Sequence, residues 1–380
     1  MTGGTNARNN VVILGGAGNF GTRIARALAG SRRAELWIAG RNAARAEAVA
    51  RKLASESGSD RIQACRIDRG DPAALRRSLR QLRPRIVIHT AGPFQALDYD
   101  VAQACIEVGS HYIDLADGRR FVAEFHQLDE PARQRGLLLV SGASTLPGLS
   151  SAVVNLLKNG MKTIDTIETS IVPSGQSARG RATITAVLSY CGKPVRVLED
   201  GVWTRRIGWL DADRVRCADI EKRVAVCDVP DLELFPSYYA GVKTVTFHAG
   251  PEALYEHLLL RGMAWLAHRG LVRDWARHAT SFDRLGRHAR RFGSDVGFMQ
   301  VRISGRAREG SRIERTWDLI AGSNHGPEIP CIPAIALARK LLENRIETRG
   351  AMPCLGLIGI EDFAREAQGF DIDWNLKRML

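Results

Sequence analysis

The chain has 380 residues, 45% of them apolar and 25% charged, which suits a soluble globular protein of about two domains. Its formal charge of +13 is carried mainly by arginines scattered along the whole chain, so an anionic small molecule is expected as ligand and nucleic acid is not. Seven cysteines without a CxxC pair or a Cys/His cluster argue for reduced thiols in a cytoplasmic setting and for no metal site; residues 1–10 lack a signal pattern, and no apolar run nears the roughly 18 residues of a membrane span.

Up to about residue 150, short apolar runs alternate with alanine-rich stretches of helical period. Strands are predicted at 11–14, 36–39, 62–67, 86–90, 112–115 and 137–141, with helices over 20–29, 43–55, 72–81, 99–107 and 121–135 between them. Six β units in this order predict a doubly wound parallel (Rossmann) sheet of strand order 3-2-1-4-5-6. After residue 150 the runs lengthen and read as half-buried strands at 164–172, 195–198, 202–207, 242–247, 299–305 and 312–320. Glu199-Asp-Gly201 and Arg308-Glu-Gly310 have the composition of hairpin turns, and helices are predicted over 182–190 and 251–268. The fold class is therefore α/β, with a second α+β domain on a largely antiparallel sheet. Residues 1–150 form the dinucleotide domain and 151–325 a substrate and dimerisation domain. The tail, with helices at 334–343 and near Glu361, is expected to return to the first domain over 326–380.

The segment Val11-Val-Ile-Leu-Gly-Gly-Ala-Gly-Asn-Phe-Gly21 places G-x-G-x-x-G directly after a strand and at the opening of an amphipathic helix. Gly16 is expected to make the tight turn, Gly18 to admit the pyrophosphate and Gly21 to let helix and strand pack, with Ala17, Asn19 and Phe20 completing the loop. The helix start then presents its N–H groups to the phosphates. About twenty residues on, the second strand ends in Ala39-Gly40-Arg41-Asn42, where a carboxylate would select a free ribose 2′-hydroxyl. A guanidinium at Arg41 instead suits a 2′-phosphate, so the expected cofactor is NADP(H). Asp68, closing the third strand, is read either as an acceptor for the adenine amino group or as a helix cap beside Asp71-Pro72. Ala91, Gly92 and Pro93 of Thr90-Ala-Gly-Pro-Phe94 are small enough to pass the ribose and nicotinamide.

With these residues in place, the chain resembles the saccharopine dehydrogenase-like family, whose NADP-binding domain has such a loop and an Ala-Gly-Pro-Phe turn. The resemblance extends through Ala104-Cys-Ile-Glu-Val-Gly-Ser-His-Tyr-Ile-Asp-Leu-Ala-Asp117 and residues 137–148, and beyond about 150 it is one of general plan. It implies hydride transfer to or from a C=N or C=C bond of a small anionic substrate. Saccharopine-forming relatives carry Asp-Pro-Gly followed by Ile-Asp-His at the entry to the second domain. This chain has Leu146-Pro147-Gly148-Leu149-Ser150-Ser151, which lacks both acids and argues against saccharopine itself. An enoyl reductase acting on lipid or polyketide substrates and a non-catalytic NADP-binding sensor are the alternatives.

A proton donor near the nicotinamide is sought among Asp114, Asp117, His111 and Tyr112 around the fifth strand, with Asp117 in the loop best placed and helix capping as its plain alternative. His325, where the chain leaves the second sheet, is a second catalytic candidate. Arg179 and Asn324 are expected to bind substrate, Arg179 by clamping a carboxylate. Residues 251–278 set Leu254, Leu258, Met263, Leu266, Leu271 and Trp275 among arginines. Such a stripe is expected to pack on a core or across a homodimer, with an anionic membrane surface as the alternative.

Overall fold

The computed structural model describes residues 9–31, 33–177, 180–289 and 293–379. The first part alternates strand and helix: β1 (Asn10–Leu14), α1 (Asn19–Ala29), β2 (Glu35–Gly40), α2 (Ala43–Ser57), β3 (Ile62–Arg66), α3 (Pro72–Leu82), β4 (Ile86–His89), α4 (Asp100–Val108), β5 (His111–Asp114), α5 (Arg119–Ala123), α6 (Asp129–Gln134) and β6 (Leu138–Ser141). Local chemistry fixes the helix starts. Asn42 accepts from the Arg45 N–H to open α2, and Asp71 accepts from the Ala74 N–H with Pro72 in the first turn of α3. The predicted helix over 121–135 is broken into α5, a short 3₁₀ turn and α6.

All these strands pair in parallel in the order 3-2-1-4-5-6, as the sequence predicts, and a seventh, β15, joins beyond β6. The central strands are buried on both faces, which is why Val11, Val12, Ile13, Val87 and Ile88 form unbroken apolar runs instead of alternating.

The chain then enters α7 (Ser150–Leu157) and a second sheet: β7 (Met161–Val172), α8 (Arg181–Ser189), β8 (Pro194–Glu199), β9 (Val202–Ile207), β10 (Ala212–Cys217), β11 (Ile220–Val226), α9 (Asp231–Tyr238), β12 (Thr244–Ala249), α10 (Leu254–His268), α11 (Ala279–Ala289), β13 (Gly297–Ala307) and β14 (Arg312–Ala321). α12 (Ile332–Leu342), β15 (Gly350–Pro353), α13 (Ile360–Glu366) and β16 (Ile372–Met379) complete it. The second sheet runs β10-β11-β12-β7-β13-β14-β16, with the β8–β9 hairpin attached to β12. Its pairs are antiparallel except β7 with β12. Asp200 (φ 49) and Gly201 (φ 81) are both left-handed in the β8–β9 turn, the conformation that matches strand twist in a two-residue hairpin. Trp317, Phe235 and Phe363 are fully buried in the core beneath this sheet.

Three expectations change. The tail divides instead of completing the first domain over 326–380: α12 and β15 join the first sheet and its core, but β16 pairs antiparallel with β14 in the second. The strand pair β10–β11 and helix α9 occupy stretches for which no element is predicted. The amphipathic segment 251–278 is one helix only to His268, followed by a 3₁₀ turn at Trp275–His278.

Candidate functional site

Parallel strands ending together leave a crevice at their carboxyl edge, and the first sheet opens there between the β1 and β4 loops. Gly15, not Gly16, takes the left-handed turn, with φ 77. A side chain on Gly15 would also strike Thr90 Oγ at 2.8 Å, so this glycine is required by both conformation and space. Gly16 is confined differently: its N–H bonds the Ile13 and Ala39 carbonyls, and a Cβ there would lie 2.8 Å from Ile13 O. Gly21 is the tightest position, where a Cβ would meet Gly15 O at 2.3 Å and Gly16 Cα at 2.7 Å. This packing presses α1 onto the loop. No side chain caps α1 at Gly18 and no acid stands in its first turn, so its positive end is open to an anion. The residues present therefore fit a dinucleotide pyrophosphate.

The loop is tied to the tail of the chain. Arg23 donates from Nη1 to the Asn19 carbonyl at 2.9 Å and from Nε to Glu328 at 2.8 Å, while the Cys331 thiol reaches the Phe20 carbonyl at 3.7 Å. At the end of β2, Arg41 is exposed and makes no ion pair among the described residues. The Arg66 Nε donates to the Arg41 carbonyl at 3.4 Å, setting a second guanidinium beside it. Asp68 accepts the Gly70 N–H at 3.0 Å, and Asp71 is the actual cap of α3; the capping alternative for Asp68 is thus removed.

Past β4, Thr90 donates its hydroxyl to Leu14 O at 2.9 Å, and Ala91, Gly92 and Pro93 follow at the crevice. Beneath them lies an aromatic layer: the His89 ring meets Phe94 edge-on at 5.0 Å, and Phe94 lies 5.4 Å from Phe121. His89 is buried with Nδ1 3.0 Å from the Tyr112 hydroxyl, and burial lowers its pKa to about 3, so it is neutral. His111 accepts the Leu138 N–H, which ties β5 to the start of β6. Asp114 is wholly buried, and one of its oxygens accepts from Ala116 N, Ser141 Oγ and Gly142 N at 2.8–3.0 Å. Burial raises its pKa to about 6 against these donors. These bonds hold the 141–142 turn in place, while His111 and Tyr112 bond within the sheet to Leu138 and His89.

Asp117 follows in the loop after β5. Its Oδ1 accepts from Gln95 Nε2 at 3.0 Å, and the protein atoms around it raise its pKa by desolvation although solvent reaches the residue. The adjacent Arg119 crosses to the second domain, donating to Glu233 at 2.7 Å, to Asp228 at 3.2 Å and to the Arg196 carbonyl at 2.6 Å. Tyr190, at the end of α8, joins this group: its pKa is raised by burial and by the neighbouring Cys227, Asp117 and Asp228. Its ring stacks on Trp209, with centroids 6.4 Å apart. Arg119, Tyr190 and Asp228 were not predicted from sequence, because nothing in their local spacing sets them apart.

The remaining sequence candidates lie across the cleft. Asn324 (φ 58) donates to Gln176 Oε1 at 2.9 Å and accepts from Ser174 Oγ at 3.2 Å, which fastens the 174–177 loop to the end of β14. His325 accepts the Asp371 N–H at Nδ1 (2.8 Å) with its ring 5.2 Å from Phe370. Arg179 lies outside the described residues. The structure thus groups Asn324 and His325 with each other but shows no contact between either and Asp117.

Residues 11–140, roughly a third of the chain, match the family described as saccharopine dehydrogenase NADP binding domain. The first domain is of the saccharopine dehydrogenase type. No curated protein sequence matches the chain. In three dimensions it is similar to apo saccharopine dehydrogenase (L-Glu forming) from Saccharomyces cerevisiae, with TM-score 0.66 and 14% identity over 98% of this chain and 100% of that one. An amine dehydrogenase from Mycobacterium smegmatis aligns over 92% of this chain and 95% of its own at TM-score 0.46 and 12% identity. The chain is therefore saccharopine dehydrogenase-like in sequence over its first domain and in fold throughout. Leu146, Pro147, Gly148 and Leu149 are buried, and Ser150 after them is buried beside Asp231.

Proposed function

We propose that the chain is an NADP(H)-dependent oxidoreductase that moves a hydride to or from a C=N or C=C bond of a small anionic substrate held between the two sheets. The observation that carries this reading is Arg41, an exposed and unpaired guanidinium at the end of β2, where a carboxylate would repel a 2′-phosphate. The open start of α1 receives the pyrophosphate, and Ala91, Gly92 and Pro93 pass the ribose and nicotinamide. The bound cofactor supplies or accepts the hydride.

The chain's own residues supply position and a proton. Asp117 accepts from Gln95 at Oδ1, which leaves Oδ2 as the oxygen that can carry a proton to the substrate. Arg119 holds the second domain beside it, and Tyr190 lies close enough for Asp117 to raise its pKa. His325, with Nδ1 accepting from the 371 backbone, carries its ring proton on Nε2; it and Asn324 shape the far wall.

The test is a pair of titrations with NADPH and NADH on the wild type and on Arg41→Asp. Loss of a charge-assisted bidentate contact predicts about 10- to 100-fold weaker NADPH binding with NADH little changed. NADPH affinity that survives the substitution would sink the assignment, and a protein that binds NADPH but turns over no imine or enoyl compound is the sensor instead.

A further inference from the structure

We propose that the outer face of α10 docks on an anionic lipid surface. Of the large hydrophobic side chains that stand exposed among the described residues, six of eleven fall between residues 254 and 271: Leu254, Tyr255, Leu258, Leu259, Trp265 and Leu271, each 46–67% exposed. Steps of four and seven residues put Leu254, Leu258 and Trp265 on one stripe, with Tyr255 and Leu259 beside it. The opposite face packs inward. His257, Met263 and Ala264 are buried there, Cys191 lies against the Leu260 carbonyl at 3.9 Å, and the Trp275 indole donates to the Met263 carbonyl at 2.8 Å. The apolar stripe is therefore surplus to the packing of this chain, and a patch of that kind marks an interaction surface.

Charge decides the occupant. Arg261 and Arg269 on the helix and Arg273 just after it are exposed and make no ion pair among the described residues. The Arg269 guanidinium lies 5.6 Å from the centre of the Trp265 ring, an aromatic and basic pair suited to the level of lipid headgroups. A second copy meeting this face about a two-fold axis would bring these unneutralised arginines toward their own counterparts, whereas anionic headgroups neutralise them. No helix among the described residues is long and apolar enough to cross a membrane, so the contact is with the surface. The location is also suggestive of use: α10 presses on the turn after Tyr190, where a Cβ on Gly192 would meet the Ala264 carbonyl at 2.4 Å, so the docked face is one layer from the cleft.

The experiment is flotation of the full chain with vesicles of phosphatidylcholine containing 30% phosphatidylglycerol, against pure phosphatidylcholine, at low and at 0.5 M salt (roughly a 4 Å screening length). Binding to the anionic vesicles should exceed that to the neutral ones by more than about ten-fold and fall at high salt. Leu258→Glu/Trp265→Glu should abolish it, and Arg261→Glu/Arg269→Glu/Arg273→Glu should remove the preference for anionic lipid. NADPH affinity and thermal unfolding report that each variant is folded. No flotation of the wild type, equal flotation of wild type and Leu258→Glu/Trp265→Glu, or a lipid-free dimer that this variant dissociates would each overturn the proposal, the last by showing that a second copy owns the face.

Discussion

The dinucleotide loop and the cleft opposite it are built by different means. The loop is a backbone object: Gly15 is required by its φ, Gly16 and Gly21 by main-chain atoms that a Cβ would meet at 2.3–2.8 Å, and its chemistry is that of N–H groups at a helix start. The cleft is a side-chain object, assembled from Asp117, Arg119, Tyr190 and Asp228 on separate elements of both domains. The contrast teaches where change is tolerated. A backbone site accepts almost no substitution and binds one class of ligand, whereas a side-chain site can be rebuilt residue by residue under an unchanged fold.

The sharpest way to break this contrast is at Gly21. Gly21→Val places a branched side chain against Gly15 O and Gly16 Cα, and should abolish dinucleotide binding while lowering stability by about 2–3 kcal/mol, read by fluorescence titration and thermal unfolding. A variant that still binds NADPH with wild-type affinity would show the loop to be far softer than argued. In the cleft, Asp117→Asn preserves the Gln95 contact in shape but removes the proton. It should lower kcat by roughly 10²- to 10⁴-fold with cofactor affinity intact. Because burial raises the Asp117 pKa and the acid form is the active one, wild-type turnover in the reductive direction should fall as pH rises through that pKa, and the variant should lose this limb.

The smallest expected effect concerns Asp231, which lies beside the cleft at the start of α9. It is buried, and burial raises its pKa to about 7 against the neighbouring Ser150 hydroxyl. The folded state therefore holds a proton that the unfolded chain releases near pH 4. Its contribution to stability is fully present below the unfolded value and is lost as pH rises through about 7. Asp231→Asn should accordingly be more stable than wild type at pH 8, by roughly 1–3 kcal/mol, with the gap closing toward pH 5. Parallel unfolding curves at both pH values would contradict the assignment.

The same contrast explains what was legible in the sequence. The first sheet could be read strand by strand because doubly buried parallel strands are apolar throughout and their order follows from alternation with helices. Within the loop, the sequence pattern pointed to Gly16 for the turn, but the left-handed residue is Gly15, and a glycine pair leaves that choice open until the neighbours are known. In the second sheet, β10 reads Ala-Asp-Arg-Val-Arg-Cys and buries only Val215 and Cys217, so its charged outer face hid it. β16 was detectable: Ile372, Trp374 and Leu376 alternate with Asp373, Asn375 and Lys377, a period-two pattern overlooked at the chain's end. Arg119 and Tyr190 had no such signal, since their meaning arises only when elements more than seventy residues apart are brought together.

The divided tail sets the mechanical character of the molecule. The chain passes between the sheets three times, from β6 to β7, from β14 to β15 and from β15 to β16, and the last strand is stitched to β14 along eight residue pairs from Glu314–Met379 to Ala321–Ile372. Three covalent crossings and the β14–β16 pairing tie the two halves to each other. A fragment cut at residues 150 and 325 would leave β14 as a raw sheet edge, exposed to pairing with other chains.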